Sequence, residues 1–370
     1  MKGRHISHLD TPSLLLDKRV MKQNLQNIVQ FAEANHVAYR PHIKTHKSID
    51  IAKMQLESGA VGITVATVGE AEVMVSGGVE NILIAFPIFT AEKLERIYQL
   101  LDRAEIILTI DSEEQVDVVN EFFRQKDERV YVWLKVNSGL NRCGVEVEDV
   151  KALVERMTDK NYVELTGIYT HAGHSYAASS TEALEEIAEK EAEVVLASAH
   201  ICESLGVQVA HKSIGSTPTF KIAGQVDGIT EIRPGNAIFY DMVQVGLGVA
   251  TIEDCAVTVA SRVASIKRNR IVIDAGSKTL SLDKGAHGNE SIAGHGYIKE
   301  YPELIISRLS EEHGVIDCNP EDYPQLEIGD VLTIVPNHAC TVVNLFDQYV
   351  VHEDGSIIEA WDVSARGRLK

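Results

Sequence analysis

Residues 37–47 read VAYRPHIKTHK, a short β-branched and aromatic run that empties into a cluster of bases. Such a run, too short for a helix, reads as a strand and the turn after it. The chain repeats the arrangement. VGITVAT (61–67), NILIAF (81–86), EIILTID (105–111), VYVWLKV (130–136), VELTGIYT (163–170), VQVAHKSI (207–214) and GITEIRP (228–234) are further runs, separated for the most part by helix-like stretches. Before the first run, VMKQNLQNIVQFAEA places Met21, Leu25, Ile28 and Phe31 on one helical face. SEEQVDVVNEFF carries the cap and early acids of a helix start, and the alanine-rich, acidic stretch 179–206 is the longest helical segment. Eight strand-and-helix units before about residue 240 predict an α/β fold, a parallel (β/α)8 TIM-like barrel. A doubly wound open sheet would give the same alternation.

After residue 250 the pattern changes. CAVTVASRVASIKRNRIVIDAGS, GDVLTIVPNHACTVV and QYVVHEDGSIIEAWDV read as strands joined by turns, in places with period-two alternation. The expected organisation is a barrel over 1–248 and a mostly-β domain over 249–370, with the first residues able to join the latter.

The chain has 370 residues and a net charge of −19, which argues against nucleic acid or an anionic membrane as partner. A local basic patch such as RPHIKTHK is then aimed at a small anion. Five widely spaced cysteines without a CxxC predict no disulfide framework and a reducing cytoplasm. The N-terminus lacks the apolar core of a signal peptide, and no apolar run reaches membrane length.

In a barrel, chemistry gathers at the C-terminal ends of the strands, with a phosphate site on the last loops. The unusual residues fall there. The first run ends in His42, Lys44 and His46, the fifth in NSGLNRCG with Arg142, the sixth in YTHAGHSY with His171, His174 and Tyr176. The seventh ends in SIGSTPT and the eighth in EIRPGN, turns whose N–H groups and hydroxyls suit a phosphate. A lone lysine after a strand is ordinarily a solvated surface group. One sharing a barrel mouth with a phosphate cradle and several cations has its pKa lowered toward the nucleophilic amine of a Schiff base. Phosphate plus Schiff-base lysine suggests pyridoxal phosphate (PLP).

RPHIKTHKS, GEAEVM, NRCG, YTHAGHSY, IRPGN, SEEHG and PNHAC, in this order over nearly the whole chain, resemble the D-threonine aldolase/D-serine dehydratase family, PLP enzymes of the alanine-racemase fold. The resemblance implies a homodimer. It makes Lys44 the Schiff-base lysine, Arg142 the partner of the PLP phenolate oxygen, His171 a flank of the pyridine ring and Arg233 the group facing the ring nitrogen. Gly215, Ser216, Thr217, Gly235 and Asn236 would hold the phosphate, with Tyr176 a further contact. His338 and Cys340 match the family's metal-ligand pair. On an extended strand, residues two apart point the same way and can share an ion. Thiolate plus imidazole suits zinc, and a carboxylate in the second place would suit manganese or magnesium.

His174 is a candidate base. His313 is a candidate substrate-polarising group or a structural residue, and His42 and His46 are expected to orient Lys44. Glu70 and Glu72 begin a barrel helix, and Asp274 and Lys278 are structural or subunit-contact residues. The expected activity is that of a PLP- and divalent-metal-dependent lyase (manganese or zinc) acting on β-hydroxy-D-amino acids. A D-threonine aldolase giving glycine and acetaldehyde is the first reading, and a zinc-dependent D-serine dehydratase giving pyruvate and ammonia the alternative. An amino-acid racemase would need a second base, a non-catalytic PLP carrier would lack the β domain, and a metal-dependent barrel hydrolase would leave KTHK and the phosphate turns unexplained.

Overall fold

The computed structural model describes residues 2–286, 292–323 and 325–370. They fall into two units. One consists of Asn27–Lys44, Ile51–Gly235 and Gly367–Lys370, and the other of the chain up to Gln26 with Thr45–Asp50 and Asn236–Arg366. Strand β1 (Ser13–Asp17) belongs to the second unit. The first holds β2 (Ala38–Tyr39), β3 (Ile63–Val65), β4 (Asn81–Pro87), β5 (Glu105–Ile110), β6 (Val130–Lys135), β7 (Val163–Tyr169), β8 (His211–Ile214) and β9 (Glu231–Ile232).

These eight strands pair in parallel in the order β2-β9-β8-β7-β6-β5-β4-β3. A parallel bridge between His42 and Thr64, with Ile43 N donating to Thr64 O at 2.9 Å and Thr64 N to Pro41 O at 2.7 Å, joins the two ends. That closure decides for the barrel over the open sheet. Each expected run holds one strand. The helices between them start where the sequence places caps: Ser112 accepts from Gln115 N before Glu113–Lys126, and Ser180 accepts from Ala183 N before the 24-residue helix Thr181–Ser204. In Lys18–Ala34, Met21, Leu25 and Ile28 are buried, and the half-buried Phe31 packs edge-on against Phe220 with ring centroids 5.4 Å apart.

Leu83, Ile107, Trp133 and Tyr169, from four successive strands, fill the barrel interior. Gly167 lies under the Trp133 indole, where a Cβ would come within 2.7 Å of the ring. Beside Trp133, Arg40 Nε donates to Glu231 Oε2 at 3.0 Å, with side chains 2% and 0% exposed. Glu231 Oε1 also accepts from Ser213 Oγ at 2.7 Å. A buried pair of this kind contributes little net stability but is costly to halve. Glu231→Ala, which strands the Arg40 charge in the barrel, is expected to lower unfolding stability by about 3–5 kcal/mol in chemical denaturation.

The second unit is a nine-stranded sheet. Its strands are β1, β10 (Val257–Lys267), β11 (Arg270–Ile273), β12 (Tyr297–Ile298), β13 (Ile306–Leu309), β14 (Gly314–Asp317), β15 (Val331–Val335), β16 (Gln348–Glu353) and β17 (Ser356–Asp362). They run in the order β13-β14-β11-β10-β1-β16-β17, with β15 beside β10 and β12 beside β15. β1 pairs antiparallel to β10 and parallel to β16, so it lies inside the sheet. Three consecutive leucines, Leu14, Leu15 and Leu16, are buried there, as a strand covered on both faces requires. Leu15 packs with Leu9, Ala260, Val350 and Ile357.

The N-terminal segment thus completes the C-terminal sheet. The chain passes from the barrel unit into the sheet unit for its longest C-terminal stretch at Gly235/Asn236. Asp274 accepts hydrogen bonds from Thr11 Oγ1 (2.6 Å), Ser261 Oγ (2.8 Å) and Arg262 N (2.7 Å), a structural knot within the sheet. All five cysteines are free thiols, and among the described residues no helix is long and apolar enough to cross a membrane.

Candidate functional site

The C-terminal ends of the barrel strands gather the expected residues. Lys44 lies in the turn after β2 and is half-buried, its backbone N–H 3.4 Å from His42 Nδ1. Arg233 follows β9 and is 5% exposed. Its Nη1 donates to Ser213 Oγ at 2.6 Å, its Nη2 to the Thr170 carbonyl, and its guanidinium lies 4.7 Å from the centroid of the Tyr169 ring. Its hydrogen bonds go to neutral oxygens, and the Glu231 carboxylate, which accepts from the same Ser213 hydroxyl, supplies opposing charge nearby. His171, just past β7, contacts the Gly215 carbonyl through Nδ1 at 2.5 Å. Gly215 passes so close to Arg233 that a Cβ would come within 2.9 Å of its Cβ and 3.2 Å of its Nη2. The Ser216 and Thr217 side chains are buried, and Ser216 Oγ lies 2.9 Å from both Ser175 Oγ and Thr219 Oγ1. A glycine turn with buried hydroxyls beside a buried arginine is a fitting cradle for a phosphate-bearing cofactor.

Arg142 is exposed, in a turn shaped by Asn137, whose Oδ1 accepts from Gly139 N and Asn141 N at 3.1 Å each. Gly144, at φ +115°, closes that turn by donating to Asp111 Oδ2 at 2.8 Å. His174 packs over Gly139, whose Cβ would come within 3.2 Å of its Nε2, and Tyr176 is buried in the same short 3-10 helix, Gly173–Ala177. Burial, then the Lys44 charge, hold both His42 and His171 well below the ordinary imidazole range, with Arg233 reinforcing this at His42 and Arg142 at His171. Both rings are neutral near pH 7. Burial lowers His174 in the same direction.

Lys135, at the end of β6, is pushed down to about 8 by burial, with Arg142 and Arg233 adding to the effect against an opposing Cys143. It stands beside Arg142 and Arg233 although no motif singles it out. A lysine inside the apolar run VYVWLKV was the available signal.

The second unit carries His338 and Cys340. The expectation of an extended strand is corrected: β15 ends at Val335, His338 caps the helix Ala339–Val343, and Cys340 lies in its first turn. The two side chains still meet in a hydrogen bond, because a cap and a first-turn residue two apart also converge. Asp241, fully buried, organises them. Its Oδ2 accepts from His338 Nδ1 (3.1 Å), Ala339 N (2.8 Å) and Asn236 Nδ2 (2.6 Å), and its Oδ1 from Gln244 N (3.2 Å). Burial opposes charge on His338, but the Cys340 sulfur and the Asp241 carboxylate outweigh it and hold the ring well above its ordinary pKa.

Thr45, the residue after Lys44, brings its Oγ1 to 3.0 Å from Cys340 Sγ, and Tyr349 OH donates to the His46 carbonyl at 2.7 Å. A thiol and an imidazole oriented by a carboxylate form a donor set suited to a soft divalent ion. Among the described residues no group of three or more His, Cys, Asp and Glu is placed to hold a metal. His313 is exposed in the hairpin turn between β13 and β14.

A closed parallel barrel bearing a lysine turn and a phosphate cradle, with a mostly-β unit built from the rest of the chain, defines the alanine-racemase class of fold. Residues 16–243 match the family model "Alanine racemase, N-terminal domain", and 256–352 match a serine dehydratase domain. The D-threo-3-hydroxyaspartate dehydratase of Delftia sp. (strain HT23) is 31% identical over 96% of this chain and 97% of its own. Its solved structure superposes with a TM-score of 0.91, covering 97% of this chain and 98% of that one. The D-serine dehydratase of Dictyostelium discoideum is 32% identical over 96% of this chain and 97% of its own. The solved D-threonine aldolase of Filomicrobium marinum is 27% identical with a TM-score of 0.91, covering 100% and 99%. The chain belongs to the family of PLP-dependent D-amino-acid lyases built on the alanine-racemase fold.

Proposed function

We propose that the protein is a PLP- and zinc-dependent dehydratase of a small β-hydroxy-D-amino acid, releasing a 2-oxo acid and ammonia. The observation that carries this reading is the His338–Cys340 pair held by Asp241, since a thiolate in the second ligand place favours zinc. In support, the Delftia dehydratase is known in a metal-free form of a variant that has a cysteine replaced by alanine. The two relatives at 31% and 32% identity are dehydratases. This shifts the preference from the aldolase that the motifs alone suggested. The aldolase remains the second reading, supported by the superposition on the Filomicrobium enzyme.

Bound PLP supplies an electron sink for the α-carbon, and the ion supplies a Lewis acid for the β-hydroxyl. The chain's own residues do the rest. Lys44 anchors the cofactor and takes the α-proton at Nζ. The Gly215–Thr217 turn, with Gly235 and Asn236, holds the phosphate, and Tyr176 adds a contact. Arg142 would meet the phenolate oxygen and Arg233 the ring nitrogen, while neutral His171 would flank the ring without adding charge.

His338 and Cys340 would hold the ion, with Asp241 orienting the His338 ring. His174, kept neutral, is a base for the hydroxyl in the aldolase reading, and His313 carries no assigned step. The homodimer and a cytoplasmic location complete the proposal.

Incubation with D-serine and D-threonine, PLP and zinc or manganese tests it. Pyruvate and 2-oxobutyrate with ammonia are expected. Glycine and acetaldehyde from D-threonine would put the aldolase in its place.

A further inference from the structure

Helix Thr181–Ser204 carries one acid on its barrel side that no motif singles out. Glu191 is fully buried, and its Oε1 accepts from the backbone N–H of Gly215 at 3.0 Å and of Ala172 at 3.3 Å. Its Oε2 contacts Thr219 Oγ1 at 2.5 Å. One carboxyl therefore braces the turn after β7, which bears His171, and the turn after β8, which forms the cradle. From Thr219 the contacts run on through Ser216 Oγ to Ser175 Oγ, each step 2.9 Å. The result is an unbroken row, Glu191–Thr219–Ser216–Ser175, in which every hydroxyl has one proton to give.

We propose that Glu191 is a positioning residue for the cofactor phosphate, and that its proton sets the direction in which this row of hydroxyls donates. The argument rests on the PLP reading above. When Glu191 is ionised it can only accept, so Thr219 donates to it, Ser216 donates to Thr219, and the row points away from the cradle. When Glu191 is protonated it donates to Thr219, Thr219 donates to Ser216, and the Ser216 hydroxyl is released to donate to a phosphate oxygen. A dianionic phosphate thus selects the protonated carboxyl twice over, by repelling the charged form and by using the donor that the neutral form frees.

Burial already raises the Glu191 pKa, against the hydrogen bonds from Thr219, Gly215 and Ala172 and the charge of Arg233. Of the charged and titratable groups on the elements packed against this helix, Arg233 bears on Glu191 and His171 meets Gly215 from its carbonyl side. Glu148, Glu155, Glu164 and Lys221 are exposed. The linkage has a definite sign: cofactor binding takes up a proton, and affinity falls as pH rises through the pKa of Glu191 in the cofactor-free protein, by up to about tenfold per unit.

The test uses the full chain stripped of PLP, titrated with PLP by absorbance and by calorimetry in two buffers of different ionisation enthalpy. Glu191→Gln is the informative variant, because its amide accepts from Gly215 and Ala172 while donating to Thr219, as the protonated acid does. It is expected to bind PLP at least as tightly as wild type, more tightly wherever wild type takes up a proton, with a flatter pH dependence and fewer protons taken up. Glu191→Ala is expected to lose affinity at every pH, while pyridoxal, which lacks the phosphate, binds all three proteins alike. Equal proton uptake by wild type and the glutamine variant overturns the proposal. So does a glutamine variant that melts like wild type yet has lost PLP by a hundredfold. A wild-type protein that binds no PLP overturns the cofactor reading itself.

Discussion

Lys44→Ala is expected to abolish the absorbance of lysine-bound PLP and turnover together, and to leave the melting temperature within a few degrees of wild type. Lys44 is half-buried in a turn whose backbone is held by the His42–Thr64 bridge. Anchor and α-proton base are lost in one substitution, and a positioned base alone contributes roughly 10²–10⁴-fold. The expected fall in kcat is therefore at least about 10³-fold, read by product assay beside an absorbance spectrum. PLP added to the variant should show the spectrum of the free aldehyde, since the Gly215–Thr217 cradle is untouched. A variant that keeps its turnover would remove Lys44 from the site.

Cys340→Ala is expected to separate the two cofactors. The sulfur lies 3.0 Å from Thr45 Oγ1 and is hydrogen-bonded to His338, while the cradle residues Gly215–Thr217 belong to the other unit. PLP should therefore stay bound with its spectrum intact while zinc, measured by atomic absorption after gel filtration, drops below one-tenth of wild type. Turnover should fall with the zinc and resist rescue by added metal. Asp241→Asn makes a graded companion. It weakens the carboxylate that orients His338 Nδ1, a change that typically costs 10–100-fold in metal affinity, and excess zinc should restore its turnover. A Cys340→Ala protein fully active in a chelator would contradict the metal assignment.

The barrel was legible because each strand announces itself locally. VYVWLKV and VELTGIYT are apolar runs of strand length, and SEEQ carries its own cap, realised by Ser112. Closure was not legible, because it rests on a single bridge between His42 and Thr64, a long-range pairing with no local signature. The place of β1 was half legible. SLLLD is plainly apolar, but nothing in it says that it pairs with β10 and β16, more than two hundred residues away.

The site divides in the same way. Lys44, Arg142, His171 and Arg233 stand in motifs at strand ends, where side-chain type alone carries the message. Asp241 and Glu191 do not, since each acts by accepting from N–H groups and hydroxyls that only the fold delivers. H-x-C spacing fits both an extended strand and a helix start, so it predicted the meeting of His338 and Cys340 but not the backbone that arranges it.

The central claim is that Lys44 carries PLP, and borohydride reduction tests it most directly. The PLP-loaded protein is reduced, digested and mapped by mass spectrometry. The account predicts one phosphopyridoxyl group per chain, on the peptide containing Lys44. A label on another lysine, or none despite bound PLP, would contradict it.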